Sequence, residues 1–444
     1  MDVRIIVETT ADTGNKRTHE LRRFSLSSRG HGDMGLKLED AKDILGQLQK
    51  AVLNAQVENI SQAHRRCTDC GCTRRLHDYR TKVLDTLLGR FRVRVPRLHT
   101  CSCEKGERGS ISPFSQLFPN RATQELPRLQ AELGARHSFR EAARILETFL
   151  PCAAQHNTTV RNRLGRVAEE ITEPEPEPVE NNATTSHPVT VLVDGAHIRC
   201  RPEYQKRHLD VVVGKIEAGN MCRRFGLAPQ AAASPTTQLR HELVALGWNG
   251  RRSVTVISDG EAALPNLFRG ATDGKVRHIL DWWHISMRVQ HVENAIKGLL
   301  QTEDFPGVPV IFRKPAETLR WYLWHGKVQT AGTDLQWLIA DCASLSKQDH
   351  AVRDAASRAI ARCNDLYCYL ANNMDSLTNY GRRYRKGLPI STSRAEGCVD
   401  DIGNARMGKH RRMRWSPRGA HNVAVARAAV LDGHLSISNT KRAA

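Results

Sequence analysis

The stretch that decides the fold is VTVLVDG at residues 189–195, an apolar run that ends on Asp194. Two later runs have the same form: SVTVIS is followed by Asp259, and VRHIL is followed by Asp281. A strand that is buried on both faces is a continuous run of Val, Ile and Leu, so the first polar residue marks its carboxyl end. Ligands and catalytic groups gather at that edge of an open α/β sheet. The three runs therefore predict a sheet with acidic residues along one edge.

Carboxylates gathered at one edge repel one another unless a divalent cation lies between them. Mg²⁺ prefers carboxylate oxygens, and paired metal ions can stabilise both the attacking and the leaving oxygen of a phosphoryl displacement. An Asp-Gly pair alone is common in turns, but Asp194 and Asp259 together predict a Mg²⁺ (or Mn²⁺) site that cuts nucleic acid. The expected arrangement is two metal ions about 4 Å apart.

A third acidic ligand is expected from a late helix beside the first strand. Glu396, in STSRAEGCVDD, fits that position, because Ser391, Thr392 and Ser393 are candidate N-cap residues just before it. The competing residues are Glu261, Asp210, Asp400 and Asp401.

Asp281-Trp-Trp-His284 follows the third run and has two interpretations. Asp281 and His284 could face the active site and contact the scissile strand. Alternatively, Trp282 and Trp283 are core residues and the polar pair caps the next helix. The sequence leaves both interpretations open.

The composition favours a polyanionic partner. The 444 residues contain 66 Lys and Arg against 47 Asp and Glu, a net charge of +19. This balance is typical of proteins that bind nucleic acid, although a solvated basic surface would give the same total. No apolar run approaches the ~20 residues that cross a bilayer, and the N-terminus is a poor signal peptide. DNA is the expected partner, and no membrane association is expected.

Two segments offer cations for DNA. A pair of helices predicted at 138–170 is either a helix-turn-helix or part of an ordinary helical bundle. The second helix of that pair carries Arg161, Asn162, Arg163 and Arg166. A strongly basic segment near Glu396 carries Lys409, Arg411, Arg412 and Arg414.

Five of the twelve cysteines fall in one short segment. CTDCGC supplies Cys67, Cys70 and Cys72, and CSC supplies Cys101 and Cys103. Two close pairs of thiolates suit a tetrahedral structural Zn²⁺ in a reducing cytosol. Cys67, Cys70, Cys101 and Cys103 are the favoured ligands and Cys72 is spare, with metal-free thiols as the alternative. The intervening TLLGRFRVRVPRL alternates apolar residues with Arg and predicts a β-hairpin with one basic face.

Composition and periodicity divide the chain into segments. The Glu-Pro repeats near residues 173–188 disfavour helix and sheet, so they predict an extended linker. The first part of the chain is expected to contain an N-terminal helical region (1–60), a zinc-binding β module (61–110) and a helical region that could include a helix-turn-helix (111–172). The linker (173–188) is followed by a strand-rich segment (189–286), a helical segment (287–379) and a basic C-terminal segment (380–435).

After the linker the patterns predict three strands, a helix, a fourth strand, a helix and a fifth strand. This is the element order of the ribonuclease-H-like fold, whose opening strands form an antiparallel meander in a mixed sheet covered by helices. The expected fold class is therefore α/β with a mixed sheet. A doubly wound parallel sheet fits less well.

Several longer motifs resemble one known family. They are RVRVPRL, SPFSQLFPNRATQEL, LVDGAHIR, VVVGK, RRFG, ISDGE, HILDWWHISMR, WYLWHGKV, NYGRRYRKGLPISTSRAE and MRWSPRGAHN. From the cysteine segment to about residue 433, the chain resembles the ISKra-type family of bacterial insertion-sequence DDE transposases, which are distantly Mutator-like.

The resemblance implies that Asp194, Asp259 and Glu396 are the catalytic triad. It also implies that 287–379 is a helical insertion in a catalytic core formed by 189–286 and 380–435. Asp281 and His284 match the Asp-x-x-His element of Mutator-like relatives.

The function implied is DNA transposition. The protein would bind the terminal inverted repeats of its element, hydrolyse phosphodiester bonds there and transfer the 3′-OH ends to target DNA. A homodimer or larger assembly on the two ends is expected, in the bacterial cytoplasm at the nucleoid. The alternatives are a ribonuclease-H-like nuclease without strand transfer and a zinc-containing DNA-binding regulator with an inactive core.

Overall fold

The structure is a computed structural model that describes residues 2–12, 14, 16–25, 35–103, 109–114, 121–172, 187–301, 312–348 and 352–436. For residues 394–396 and 409 it describes the backbone alone. The chain divides into two compact units. One contains the described residues up to Val167 and those from Gly433 onward, and the other is Ala168–Asp432. Residues 173–186 of the expected linker lie outside the described residues.

The first unit opens with an antiparallel hairpin, whereas the sequence analysis expected a helical region over residues 1–60. The elements are β1 (Asp2–Thr10), β2 (Lys16–Ser25) and α1 (Leu38–Ala63). Half-buried and exposed side chains alternate along β1, which is the two-residue period of a strand. Helical periodicity begins only at α1, and this explains the difference.

The hairpin expected between the two cysteine groups is present. It consists of β3 (Leu76–Thr86) and β4 (Gly89–His99), and the short β5 (Ser110–Ile111) pairs with β4. Val93 and Val95 are buried, whereas Arg92 and Arg94 are exposed. The hairpin therefore has one apolar and one basic face, as its alternation predicts.

Three helices follow among the described residues of this part of the chain. They are α2 (Glu125–Arg136), α3 (Phe139–Phe149) and α4 (Asn157–Thr172). Ser138 caps α3, because its hydroxyl accepts a hydrogen bond from the N–H of Glu141.

The second unit is built on a five-stranded mixed sheet. Its strands are β6 (Thr190–Arg199), β7 (His208–Ala218), β8 (Met221–Leu227), β9 (Val254–Ser258) and β10 (Val276–Leu280). Their order across the sheet is β10-β9-β6-β7-β8. The strands β6, β7 and β8 form an antiparallel meander, and β9 and β10 run parallel to β6. The expected α/β class with a mixed sheet is confirmed.

Helices cover the two faces of this sheet. Val191 and Val193 of β6 pack in one core with α5 (Pro235–Ala245) and α6 (Ala263–Ala271). Leu192, on the opposite face of β6, belongs to a second core that a group of four helices dominates. Those helices are α7 (Trp282–Leu300), α8 (Arg313–Trp324), α9 (Val328–Gln348) and α10 (Arg353–Asn372). The helical segment begins before the expected position 287 because Asp281 caps α7.

The C-terminal segment returns to the sheet. Its elements are α11 (Tyr380–Arg385), α12 (Ser393–Cys398), a π-helical turn (Val399–Asn404), short turns at Ala405–Met407 and Lys409–Arg411, and α13 (Pro417–Leu431). Both α12 and the π-helical turn pack against β6 and β7, and α13 packs against β7 and β8. A Cβ at Gly403 would lie 2.9 Å from the Cβ of Ala196, so glycine permits this close approach to β6.

Candidate active site and metal centre

Asp194 lies within β6, which corrects the expectation that it ends the strand. The strand continues to Arg199 because the residues after Asp194 still pair with β7. Pairing with the parallel neighbour β9, however, stops at Leu192. Asp259 directly follows β9, and extending the register of Leu192 with Ile257 by two residues puts Asp194 opposite Asp259. Both carboxylates therefore lie where the parallel part of the sheet ends.

These carboxylates influence one another. Burial raises the pKa of Asp194, and the charge of Asp259 raises it further. The backbone N–H of Gly195 donates to Asp194 Oδ1 at 2.7 Å and opposes the shift, as does His284. Like charges so close cost free energy, which a cation beside them would offset.

Asp281 is fully buried and connects three elements. Its Oδ1 accepts a hydrogen bond from the N–H of Trp283 at 2.8 Å and caps α7. Its own N–H donates to the carbonyl of Ser258, at the end of β9 (2.9 Å). Its Oδ2 accepts a hydrogen bond from the hydroxyl of Thr392 at 2.5 Å. Asp281 therefore ties the strand ends to the residue that precedes α12.

The surroundings of the Asp-x-x-His element bear on both of its interpretations. Asp281 caps the next helix, as one interpretation required. Its carboxylate is also 3.8 Å from His284 Nε2, and both groups act electrostatically on Asp194. Trp282 is partly buried in the helical core, whereas Trp283 is 42% exposed and is not a core residue.

Glu396 lies in α12, which packs against the strand that carries Asp194. That is the kind of helix from which a third ligand was expected. The side chain of Glu396 lies outside the described residues. Ser391 accepts a hydrogen bond from the N–H of Ser393 at 3.1 Å, so it stabilises the start of α12 while Thr392 bonds to Asp281.

Glu261 is a third described carboxylate in the same acidic group. Its Oε2 lies 4.0 Å from the position that a Cβ on Gly195 would take. Burial raises the pKa of Glu261, and the charges of Asp259, Asp210 and Asp194 raise it further. Glu261 is thus a structural rival to Glu396 as third ligand.

Two of the other competing acids have side-chain partners, and the third is exposed. Asp210 Oδ1 lies 2.8 Å from His197 Nδ1, and both side chains are exposed. Asp400 accepts a hydrogen bond from the amide of Asn404 at 2.8 Å. Asp401 is exposed, and its backbone carbonyl accepts a hydrogen bond from Arg427.

The cysteine segment forms a cluster that could hold a metal ion. The Sγ atoms of Cys67, Cys70, Cys101 and Cys103 all lie within 4.8 Å of one another. This is the set favoured from the sequence, although the Sγ of Cys72 also lies 3.0 Å from that of Cys101. Gly71, at φ +70°, permits the tight turn between the first cysteines. Outside this cysteine segment, no group of three described His, Cys, Asp or Glu side chains brings its ligand atoms so close.

Backbone N–H groups favour thiolates in this cluster. Those of Cys70 and Asp69 lower the pKa of Cys67, and that of Cys103 lowers the pKa of Cys101 to about 6. Hydrogen bonding to Cys101 raises the pKa of Cys72 to about 12, and it raises the pKa of Cys103 as well. Thiolate is the form that binds Zn²⁺, so a bound ion would displace the remaining thiol protons.

The basic residues of α4 differ in exposure. Arg161 and Arg166 are exposed. Arg163, expected to be available to DNA, instead donates to Gln130 Oε1 at 2.7 Å and lies 3.6 Å from Asp85. Its guanidinium is held inside its own unit because these acceptors satisfy it.

In the C-terminal basic segment, Arg411, Arg412 and Arg414 are exposed. Arg411 Nε donates to the carbonyl of Ala405 at 3.1 Å, and Arg412 has a left-handed backbone (φ 51°). The side chain of Lys409 lies outside the described residues.

A scan against protein-family models and a search of curated proteins found no match to this chain. Within the described residues, no helix has both the length and the apolar character needed to cross a lipid bilayer.

Two features of the Ala168–Asp432 unit were not predicted from the sequence. Thr392 was a candidate helix cap, and its bond to Asp281 has no local signal because the partners are far apart in the chain. Arg199, Lys206 and Arg207 were not among the predicted site residues, although the density of basic residues around RCRPEYQKRH marks that turn.

Proposed function

We propose that this chain is a DDE transposase of a bacterial insertion sequence, an enzyme that cuts DNA at the ends of its element and joins them to target DNA. The observation that carries the proposal is the placement of Asp194 beside Asp259. Asp194 lies in β6 and Asp259 directly follows β9. These strands are neighbours in a mixed sheet whose order, β8-β7-β6-β9-β10, is the order expected of a ribonuclease-H-like fold. The helix that carries Glu396 packs against the strand of Asp194.

Carboxylate oxygens, which these acids offer, are the ligands that a hard divalent cation prefers. Asp194 and Asp259 would hold Mg²⁺ or Mn²⁺ with a third carboxylate, Glu396 on the resemblance or Glu261 on its described position. The raised pKa of Asp194 supports this, because a cation would remove the repulsion that causes part of it. When bound, the metal would supply Lewis-acid stabilisation of the attacking and leaving oxygens of an in-line phosphoryl displacement.

The chain's own groups orient that site. The N–H of Gly195 fixes one oxygen of Asp194. Asp281 is a positioning residue, because its two oxygens hold the start of α7 and the residue before α12. His284, partly exposed beside Asp281, is placed to contact the DNA strand that is cut. Water serves as nucleophile in cleavage, and the freed 3′-OH takes its place in joining.

The cysteine cluster would be a structural zinc module. Four sulfur atoms about 2.3 Å from a zinc ion lie about 3.8 Å apart, and the observed cluster is compatible with that spacing. The module would stabilise the β3–β4 hairpin, whose exposed Arg92 and Arg94 could contact DNA phosphates. Terminal inverted repeats and target DNA are the proposed partners, bound by a homodimer or larger assembly.

The test is cleavage and joining of DNA that carries the sequences flanking this gene. Asp194→Asn or Asp259→Asn should lower the Mg²⁺-dependent rate by about a thousandfold or more, with DNA affinity retained. Asp354→Asn, an exposed acid on α10, is the matched control and should leave the rate unchanged. Cleavage at the wild-type rate by either active-site variant would refute the assignment. Nicked products without joined DNA would indicate a nuclease, and intact DNA with wild-type protein would indicate a DNA-binding regulator.

A further inference from the structure

A cavity of about 500 Å³ lies in the Ala168–Asp432 unit, apart from the acidic site. Its basic lining residues are Arg199, Lys206, Arg207, His208 and Arg414. No Asp or Glu is among the described residues that line it. A concave surface with cations converging from several segments is suited to an anion with several oxygens.

The backbone holds these segments together. The N–H of Trp415 donates to the carbonyl of Arg199 at 2.9 Å, and the N–H of Arg201 donates back to the carbonyl of Trp415 at 3.0 Å. The N–H of Cys200 donates to the carbonyl of Arg207 at 3.1 Å. The end of β6, the turn into β7 and the segment before α13 are therefore fixed to one another. Because the backbone of this wall is already ordered, binding of an anion would cost less conformational entropy.

Four cations of this wall have no counter-ion among the described residues of the chain. None of the ion pairs in that part of the structure involves Arg199, Lys206, Arg207 or Arg414. Elsewhere in this unit, Arg223 pairs with Glu242 and Arg224 pairs with Asp432. Cations that converge without acids repel one another, and a bound anion would relieve that repulsion.

The cavity and the acidic site share the strand β6. Arg199 follows Asp194 on the same strand, five residues on, which is about 17 Å at ~3.4 Å per residue. That distance is about half of a helical turn of duplex DNA. We propose that the cavity binds a backbone phosphate of the substrate DNA within one turn of the phosphate that is cut. The inference rests on the proposed function and adds a DNA-positioning site to it.

The same cations would suit a free phosphate ion, and an experiment can distinguish a free phosphate from a phosphate of the DNA backbone. A DNA phosphate bound by a cation releases counterions, so removing one such interaction makes the slope of log affinity against log salt shallower by about 0.9. Free phosphate or pyrophosphate would bind the cavity without any such effect on DNA.

The experiment compares two triple variants of the full chain. Arg199→Gln/Lys206→Gln/Arg207→Gln removes charge from the cavity. The control, Arg251→Gln/Lys297→Gln/Arg358→Gln, removes the same charge from exposed positions in the same unit. Both are built on Asp259→Asn, so that the DNA stays intact, and affinity for a 40-base-pair duplex is measured by fluorescence anisotropy across a salt series.

The cavity variant should show a slope shallower by about 0.9 or more, with at least tenfold weaker binding at low salt, and the control should match its parent. Equal slopes for cavity variant and control would overturn the proposal. The proposal would also be overturned if pyrophosphate stabilised the parent while the cavity variant kept the parent's salt slope for DNA. A cavity variant that lost affinity for duplex RNA but not for duplex DNA would overturn it as well.

Two further measurements keep the outcome clear. Arg414→Gln changes the same wall from another segment, and it should also make the slope shallower if the triple variant does not fold. Cleavage by the chain with Asp259 intact tests the proposed function separately. A shallower slope without any cleavage would leave the DNA site standing and remove the transposase.

Discussion

At the scale of single residues, the negative charge of the carboxylates in the acidic site lowers the stability of the fold. Asp194 is half-buried, and both Asp259 and Asp281 act to raise its pKa. Glu261 experiences the charges of Asp259 and Asp194 in the same way. A protein without a use for this arrangement would gain stability by replacing one of these acids with a neutral side chain. The concentration of negative charge therefore makes this edge of the sheet a candidate functional site, since perturbed carboxylates gather at sites that bind cations or substrate.

The first prediction identifies the third carboxylate. Glu396→Gln should reduce Mg²⁺-dependent cleavage by about a hundredfold or more, because a neutral amide is a much poorer ligand for a hard cation. Glu261→Gln should reduce it by about tenfold or less if Glu261 only adds to the local field. The rates are measured over a Mg²⁺ series. The opposite order of the two effects would make Glu261 the ligand and remove Glu396 from the triad.

The second prediction concerns pH. The folded protein raises the pKa of Asp194, so its native state binds a proton more tightly than the unfolded chain does. The resulting stabilisation is present below the unfolded pKa of about 3.9 and is lost as the pH rises through the folded pKa. The ionised carboxylate therefore lowers stability at pH 7 in Mg²⁺-free buffer. At pH 7 without Mg²⁺, Asp194→Asn should raise the melting temperature by about 2–4 °C for each kcal/mol of this destabilisation that it removes.

The pH dependence supplies its own control. The difference between Asp194→Asn and the parent should vanish near pH 3, where both side chains are neutral. Adding Mg²⁺ at pH 7 should raise the melting temperature of the parent more than that of the variant. A variant that melts below the parent at pH 7 without Mg²⁺ would contradict the account of repulsion at this site.

At the scale of elements, the hydrogen bond from Thr392 to Asp281 joins the strand end to the helix that carries Glu396. Thr392→Val removes the donor and leaves a buried carboxylate oxygen without it, which should cost about 1–3 kcal/mol. Cleavage should fall at fixed Mg²⁺ and recover partly at high Mg²⁺, because α12 would be positioned less well. DNA affinity should stay within about twofold of the parent. Equilibrium unfolding and a Mg²⁺ titration of the rate provide the measurements.

Thr392→Ser is the matched control, because it keeps the hydroxyl. Thr392→Ser should keep both the parent's cleavage rate and the parent's Mg²⁺ requirement. If Thr392→Val loses stability but keeps the parent's Mg²⁺ requirement, the hydrogen bond is structural only and does not position the ligand on α12.

Elements with strong local periodicity could be predicted from the sequence. The strands that lead to Asp194 and Asp259, the basic hairpin between the cysteines and the helices after residue 282 all have such patterns. The N-terminal hairpin was missed because its alternation is short and the region contains a longer helical pattern. The extent of β6 was missed because its second half continues in a hairpin with β7, and the polar Asp194 resembles a strand end.

Contacts between distant segments could not be predicted in the same way. The bond from Thr392 to Asp281, the place of Glu261 beside Gly195 and the basic cavity each depend on residues that only the tertiary fold brings together. A single sequence indicates the local conformational preferences of these residues, but it does not indicate how close they lie to one another in the fold. The inward position of Arg163 is a similar case, because its partners Gln130 and Asp85 lie on other elements.

At the scale of the whole molecule, the division into two compact units separates the cysteine cluster from the acidic site. The cysteine cluster belongs to the unit that contains the described residues up to Val167 and those from Gly433 onward, and the acidic site belongs to Ala168–Asp432. Proteins with two units commonly unfold in more than one transition. A ligand that binds only the folded form of one unit stabilises that unit. Zn²⁺ and Mg²⁺ should therefore act on different transitions of the same chain.

The last prediction uses calorimetry and metal analysis together. The parent should carry about one zinc per chain, as a four-cysteine site predicts, and should unfold in two transitions. Cys67→Ser should lose the zinc and lower one transition, while the other transition keeps its response to Mg²⁺. Cys72→Ser is the matched control, because the cluster contains four other sulfur atoms within 4.8 Å of one another, and it should keep both the zinc and the transition. Zinc lost from Cys72→Ser but retained by Cys67→Ser would reverse the ligand set, and zinc-free parent protein purified under reducing conditions would remove the metal from this unit altogether.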